Sequence, residues 1–172
     1  MNVLHQGRFL NLIDDNGWEY VVRNNCRTVV VIVPLLDNDK TIFVEQFRKP
    51  VQSSMIEFPA GLVGDGDDFD EDIKIAAARE LEEETGYLPA ELYKVAEGPA
   101  SAGLSDESLE VYVARDLTKT GEGGGVEGEN IKVHVVKISE VKNWLAAQEE
   151  AGKVVDLKVW GGLYFLQDAV RG

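Results

Sequence analysis

Three glutamates near the end of a predicted helix are the residues of this chain most suited to chemistry. Glu80, Glu83 and Glu84 follow the helix-forming run 76–78, and Gly86 is the residue type that commonly follows a helix C-terminus. At 100° per residue the three carboxylates span about a third of the helix circumference, so they can converge on one point. Because a helix C-terminus already carries partial negative charge, we expect a cation to balance them.

The expected cation is a hard divalent metal ion. Several carboxylates, together with water and substrate phosphate oxygens, suit Mg²⁺ or Mn²⁺. A softer metal would need clustered cysteine or histidine, whereas Cys26 is the only cysteine and the two histidines are far apart in the sequence. Arg79 lies four residues before Glu83 and can hold its carboxylate. Taken alone, a glutamate-rich helix end is more often a solvated surface, so the choice depends on the surrounding residues.

The composition describes a single acidic domain of ordinary size. The chain has 172 residues, of which 17 are basic and 31 acidic, giving a formal net charge of −14. This charge repels nucleic-acid backbones, so we expect no nucleic-acid partner. No apolar run approaches the roughly 20 residues that a membrane span needs. The first ten residues also lack the apolar region of a signal peptide, so we expect a cytoplasmic protein without a membrane role.

The predicted order of elements is strands, one helix, strands and then two helices, which indicates an α+β fold. Residues 1–25 are expected to form a small antiparallel β subdomain, a hairpin of an extended segment (3–13) and a strand (18–23) joined by a turn. Residues 26–172 are expected to form the main domain. Its predicted strands span 27–36, 41–47, 55–58, 91–97, 108–114 and 131–138. Its predicted helices are 71–84, one capped by Ser139 and ended by Gly152, and one capped by Asp156.

Two of the predicted loops have compositions that suggest a function. A long polar loop spans 98–107 between two strands, a common location for functional residues. The loop at 121–129 contains five glycines and has little to bury, so we predict that it is mobile.

The segment from Pro59 to Tyr87 resembles the Nudix box of the Nudix hydrolases. Its second half, Arg79-Glu80-Leu81-x-Glu83-Glu84-x-Gly86-Tyr87, matches the box at every defining position, and Glu71 has the family's eight-residue offset from Arg79. The first half departs from the pattern, because Asp65 stands where the family has glycine; a four-residue insertion after Pro59-Ala60-Gly61 explains this difference. The resemblance implies an α/β/α sandwich, with a mixed β-sheet flanked by the box helix and the C-terminal helices.

The resemblance also implies the metal site. Mg²⁺, or alternatively Mn²⁺, would be bound by Glu80, Glu83, Glu84 and the carbonyl of Ala60. Arg79 and Glu83 are further implied as catalytic residues.

Features outside the box, from about Gly7 to Leu166, resemble the ADP-ribose pyrophosphatase branch, which cleaves nucleoside diphosphate sugars. The segment 44–50 is similar to a strand that ends in a substrate-contacting arginine, which makes Arg48 a diphosphate ligand. The segment 103–107 is similar to a loop near the distal sugar, so Glu107 is either a hydroxyl acceptor or a solvated loop acid. Segment 127–133 is similar to a mobile loop that supplies the catalytic base. Either Glu127 or Glu129 fits that role.

Two N-terminal residues complete the implied site. Trp18 and Arg23 resemble residues that contact the nucleotide base, often from the other subunit of a homodimer. Ordinary packing within the hairpin is the more conservative interpretation of Trp18. We therefore expect a homodimer whose substrate is a small nucleotide sugar.

The expected activity is metal-dependent hydrolysis of the diphosphate bond of a nucleoside diphosphate sugar, with ADP-ribose as the first candidate. The products would be a nucleoside monophosphate and a sugar phosphate. GDP-mannose or a UDP-sugar is an alternative substrate, because the fold and the box do not select one. A nucleotide-sugar sensor without catalysis and an interaction protein with an acidic docking face are the alternatives from other functional classes.

Overall fold

The computed structural model describes residues 1–24, 26–64, 69–126 and 128–171. Within these ranges the chain forms three β-sheets and three α-helices, which confirms the α+β class expected from the sequence. The predicted order of elements is also confirmed, apart from a two-residue strand between the last two helices. No helix in the described part of the chain is both long and apolar enough to cross a membrane.

The N-terminal sheet has three antiparallel strands, β1 (Asn2–Gln6), β2 (Leu10–Asp15) and β3 (Trp18–Arg23), in that order. The prediction of one extended segment over 3–13 was wrong, because the chain turns back at Gly7. The Gly7 amide donates to the Leu10 carbonyl at 2.9 Å, and a Cβ on Gly7 would lie 2.6 Å from that oxygen. The predicted turn before β3 is confirmed.

Two four-stranded sheets form the main body. The first sheet, in the order β7, β4, β9, β8, contains β4 (Thr28–Pro34), β7 (Ala60–Val63), β8 (Tyr87–Pro99) and β9 (Ser108–Lys119). It is mixed, because β4 pairs parallel with β9 and antiparallel with β7. The second sheet, in the order β10, β5, β6, β11, contains β5 (Lys40–Arg48), β6 (Ser53–Glu57), β10 (Lys132–Lys137) and β11 (Val154–Val155).

The sequence predicted no strand between 58 and the box helix, but β7 begins at Ala60, directly after Pro59. A four-residue strand that contains glycine is too short for side-chain alternation to reveal it. The same limit explains why β11, with two residues, was not predicted. Pairing with β4 nevertheless fixes β7, in a register that places Ala60 opposite Val31.

The helix α1 (Ile73–Thr85) covers the first sheet. It begins two residues later than predicted because the side chain of Asp72 caps it, accepting from the amide of Lys74 at 2.9 Å. Gly86 ends it with a φ of 76°, a left-handed conformation that glycine adopts without strain. Ala76, Ala77 and Leu81 are fully buried against the sheet.

The helix α2 (Val141–Glu150) packs on the second sheet, where Trp144 stacks on Phe43 with ring centroids 5.3 Å apart, whereas α3 (Leu157–Arg171) contacts β4 and β9 of the first sheet as well as β6 of the second. The prediction that Ser139 caps α2 was wrong. Ser139 lies in a 3₁₀ turn, Ile138–Glu140, that leads directly into the helix, and Glu140 precedes α2 without a side-chain cap. Asp156 does cap α3, since its Oδ1 accepts from the Lys158 amide at 2.7 Å.

Glu45 on β5 is a buried acid held by two lysines and a histidine. It is 5% exposed and accepts hydrogen bonds from Lys153 (2.8 Å) and Lys132 (3.3 Å), and its Oε2 lies 3.0 Å from His134 Nε2. Burial by itself raises the pKa of this carboxyl, but the hydrogen bonds from Lys153, His134 and Lys132 together outweigh it and lower the pKa to about 2. The network joins β5, β10 and the residue before β11.

We expect Glu45→Ala to lower the free energy of unfolding at pH 7 by about 3 kcal/mol, because 1 pKa unit corresponds to about 1.4 kcal/mol. The folded pKa lies below the ordinary value, so this contribution is fully present above about pH 4.5 and is lost as the pH falls toward 2. Urea unfolding at pH 7 and pH 3 measures it, with exposed Glu149→Ala as the control. A loss at pH 3 as large as that at pH 7 would contradict the ionic explanation.

Candidate active site

A cleft of about 920 Å³ is lined by residues from β5, β6, β7, α1 and the start of α3. Most of the site residues predicted from the sequence line it. These are Arg23, Arg48, Ala60, Arg79, Glu80, Glu83, Glu84, Glu107 and Glu129. Trp18 instead lines a separate pocket of about 450 Å³ and is 63% exposed, and Glu127 lies outside the described residues.

Arg79 organises the acidic side chains of α1. Its Nε and Nη2 donate to the two carboxylate oxygens of Glu71 at 3.1 and 3.2 Å. Its Nη1 donates to Glu80 at 2.8 Å and to Glu83 at 3.2 Å. The hydrogen bond with Glu71 is the largest of several effects that raise the pKa of this guanidinium, so it stays charged. Arg79 therefore brings one positive charge among three carboxylates.

Glu84 has a different environment from its neighbours on α1. Its side chain is 6% exposed, and Oε2 accepts a hydrogen bond from the Ala60 amide at 3.2 Å. The pKa of Glu84 is raised to about 8, chiefly by burial and in smaller part by the nearby carboxylates of Glu80 and Glu129, against the opposing effects of the Ala60 amide and the Arg48 charge. An additional cation beside Glu84 would stabilise its ionised form.

The backbone of β7 is in close contact with the acidic residues of α1 that belong to the box, Glu80, Glu83 and Glu84 (the box acids). A Cβ on Gly61 would lie only 1.9 Å from the carboxyl carbon of Glu80, so glycine is required for this approach. The acids of α1 are therefore held directly against the backbone of residues 60–61.

These residues fit a hard divalent ion. The donors are all oxygens, and Glu84 has no side-chain cation among its hydrogen-bond partners in the described part of the chain. The same part of the chain contains no ready-made group of three metal-ligating side chains, and Arg79 engages both Glu80 and Glu83. Binding an ion would therefore require these two carboxylates to reorient.

Two arginines of the cleft are paired with acids from other parts of the chain. Arg48 Nε donates to Glu57 Oε2 at 2.7 Å, and Arg23 Nε donates to Glu107 Oε1 at 2.8 Å. The resemblance assigns Arg23 to the base and Glu107 to the distal sugar. The structure places these two side chains in contact, so within one chain they lie at the same end of the cleft.

The glycine-rich loop packs on the C-terminal end of α1. The amides of Gly124 and Gly125 donate to the carbonyls of Glu84 (2.9 Å) and Glu83 (3.0 Å), which lack partners within the helix. A Cβ on Gly123 would lie 2.5 Å from the Glu84 carbonyl oxygen. The glycines therefore have a packing role that the prediction of a mobile loop did not include. Glu129, near the end of this loop, faces the cleft, and its Oε2 accepts from the Val126 amide at 3.1 Å.

The sequence interpretation missed one wall of the cleft. Gln46, Met55 and Val154 lie opposite one another on β5, β6 and β11, and all three line the cleft. Leu157 and Lys158, at the start of α3, continue this wall. Alternation along β5 puts Gln46 on the same face as Arg48 and could have identified it. Met55 depends on the register of β6 with β5, and the other three residues depend on the pairing of β11, which the sequence does not indicate.

Comparisons with known proteins show the family and the fold of this chain. A family model described as the NUDIX domain matches residues 26–158. The chain is 33% identical over 139 residues to a Bacillus subtilis (strain 168) protein named ADP-ribose pyrophosphatase, and 31% identical over 139 residues to a Bacillus methanolicus protein named methanol dehydrogenase activator. Each match covers 80% of this chain and 71% of the relative. A crystal structure of an ADP compounds hydrolase shares the fold, with a TM-score of 0.74 and 20% identity over 99% of this chain and 91% of that chain.

Proposed function

The chain belongs to the Nudix family of pyrophosphohydrolases, and from that premise we propose that it hydrolyses the diphosphate bond of a nucleoside diphosphate sugar, with ADP-ribose as the first candidate. The observation that carries the proposal is the cleft itself, in which the box acids Glu80, Glu83 and Glu84 lie together with Arg48 and Glu129. The name of the Bacillus subtilis relative supports the choice of substrate class.

Mg²⁺ is the proposed ion, with Mn²⁺ as the alternative, because Nudix hydrolases use divalent metals and the donor set contains only oxygens. Glu80, Glu83, Glu84 and the Ala60 carbonyl would hold it. When bound, such an ion neutralises phosphate oxygens and lowers the pKa of a water molecule.

The side chains of this protein supply the remaining parts of the mechanism. Glu129 accepts the proton of the attacking water as the water oxygen bonds to phosphorus. The bridging oxygen leaves with its electron pair, which yields a nucleoside monophosphate and a sugar phosphate. Arg48 holds the diphosphate oxygens, and in the ion-free protein Arg79 holds Glu80 and Glu83 beside the cleft by hydrogen bonds.

We also propose a homodimer, formed through the subdomain of residues 1–25. The N-terminal sheet exposes several large apolar side chains, namely Val3, Leu4, Phe9, Leu10 and Trp18. Trp18 lines a pocket apart from the cleft of its own chain. If Trp18 contacts a nucleotide base in a cleft, that cleft would belong to the partner subunit.

A product-release screen tests the proposed function. ADP-ribose, GDP-mannose, UDP-glucose, NADH and nucleoside triphosphates are each incubated with the protein, with and without Mg²⁺, and phosphate is measured after phosphatase treatment. We expect release from ADP-ribose, only in the presence of Mg²⁺, at a higher kcat/KM than from the other compounds.

Two outcomes of the screen would favour the other functional classes. Binding of a nucleotide sugar without turnover would indicate a sensor. Absence of both turnover and any Mg²⁺-dependent increase in melting temperature would indicate an interaction protein.

A further inference from the structure

Glu57 is a buried acid in the cleft to which the proposed mechanism gives no role. It is the last residue of β6, its side chain is 9% exposed, and it lines the cleft. An ionised carboxylate at such a position is costly to bury unless a cation compensates it. Its hydrogen-bonded partner is Arg48, whose Nε lies 2.7 Å from Glu57 Oε2.

The strand register shows how the pair is arranged. In the antiparallel pairing of β5 with β6, Glu57 lies opposite Val44, whereas Arg48 lies opposite Ser53. Val44 and Arg48 are four residues apart on one face of β5, a distance of about 13 Å at about 3.3 Å per residue. The Arg48 side chain must therefore extend along the sheet toward Glu57, which is three residues before Ala60 of the metal site.

The hydrogen bond to Glu57 occupies only one edge of the guanidinium. Glu57 binds the Nε position, and no hydrogen bond to Nη1 or Nη2 of Arg48 is found within residues 1–24, 26–64, 69–126 and 128–171. The Arg48 side chain is 42% exposed. The two terminal nitrogens form a planar fork that matches two oxygens of a diphosphate.

We propose that Glu57 is a positioning residue, which holds Arg48 along the sheet so that its terminal nitrogens face the diphosphate of the substrate. The inference rests on the proposed function, because it names the same diphosphate as ligand. Without Glu57, the long Arg48 side chain would sample many rotamers and would lose entropy when substrate binds. Glu57 would therefore act on substrate affinity and leave the chemical step nearly unchanged.

The test compares Glu57→Ala, Glu57→Gln, Arg48→Ala and the double variant Glu57→Ala/Arg48→Ala. We expect Glu57→Ala to raise KM for ADP-ribose roughly 10-fold to 100-fold, the factor that corresponds to one hydrogen bond to a charged group, with kcat within about 3-fold of wild type. Glu57→Gln keeps an oxygen that accepts from Nε, so it should restore most of the affinity. In the Arg48→Ala background, Glu57→Ala should have no further effect on KM.

Isothermal titration with ADP and Mg²⁺ measures the same loss without turnover. Glu97→Ala, which removes the acid of a Lys94 ion pair on β8 outside the cleft, is the matched control. If Glu57 had a purely structural role, Glu57→Ala would lower kcat because less of the protein would be active, or its effect on KM would multiply with that of Arg48→Ala. Either result overturns the inference. Equal ADP affinities of wild type and Glu57→Ala also overturn it, whereas ADP binding by a wild-type protein that releases no product contradicts the proposed function alone.

Discussion

Glu84→Gln is expected to lower kcat by about 1,000-fold or more while the fold remains intact. Glutamine keeps the shape of the side chain but provides no charge for a divalent ion, and loss of several kcal/mol of charge stabilisation corresponds to a factor of this size at 1.36 kcal/mol per tenfold. The kcat is measured at saturating Mg²⁺ with the best substrate of the screen. Glu82→Gln, on the same helix but not lining the cleft, is the matched control.

The same substitution has a predicted effect on stability that separates folding from catalysis. Because the pKa of Glu84 is raised to about 8 in the folded protein, unfolding releases its proton between about pH 4.5 and 8. The metal-free wild type should therefore lose stability as the pH rises through this window. Glu84→Gln should lose less, and should not gain the Mg²⁺-dependent rise in melting temperature expected for the wild type. Near-normal turnover by Glu84→Gln would contradict the assignment of the metal site.

Glu129→Gln is expected to lower kcat by about 100-fold to 10,000-fold, the usual contribution of a general base. Glu129 lines the cleft, and its charge contributes to the raised pKa of Glu84, which places it near the box acids. We expect Glu127→Gln to keep most of the activity. Both variants are compared at saturating Mg²⁺, where loss of metal affinity cannot imitate loss of the base.

Glu122→Gln is the control within the same loop, because its side chain is 91% exposed and is paired with Lys119. A large loss in Glu127→Gln with full activity in Glu129→Gln would transfer the role to Glu127. Full activity in both variants would show that neither glutamate is the base.

Much of the candidate site could be predicted from the sequence because it is encoded over short distances along the chain. The 3.6-residue helical period places Glu80, Glu83 and Glu84 on neighbouring faces, and Arg79 lies one turn before Glu83. Gly86 ends the helix for a local reason, its freedom to adopt a positive φ. The Val- and Ile-rich composition of residues 27–36 likewise predicted β4, and alternation over 41–47 predicted β5.

The errors occurred where local patterns are weak. The sequence predicted one extended segment where the structure has two strands, β1 and β2. The error arose because a glycine turn such as that at Gly7 is difficult to distinguish from a glycine within a strand. β7 and β11 are too short for periodicity, and they exist because neighbouring strands satisfy their backbone hydrogen bonds. Ser139 has the composition of a cap, but the preceding backbone already forms a 3₁₀ turn.

The sequence by itself determined the fold class, the acidic helix and the oxygen-rich chemistry, because helical period, turn residues and charge act between near neighbours. Only the tertiary structure decided the charge balance of the cleft. Strand register brings Glu57 to Arg48, a separate sheet brings Arg23 to Glu107, and packing of β7 against α1 buries Glu84 and raises its pKa. These pairings join residues far apart in the chain, and electrostatic energies depend on distance and burial in space, which no local pattern encodes.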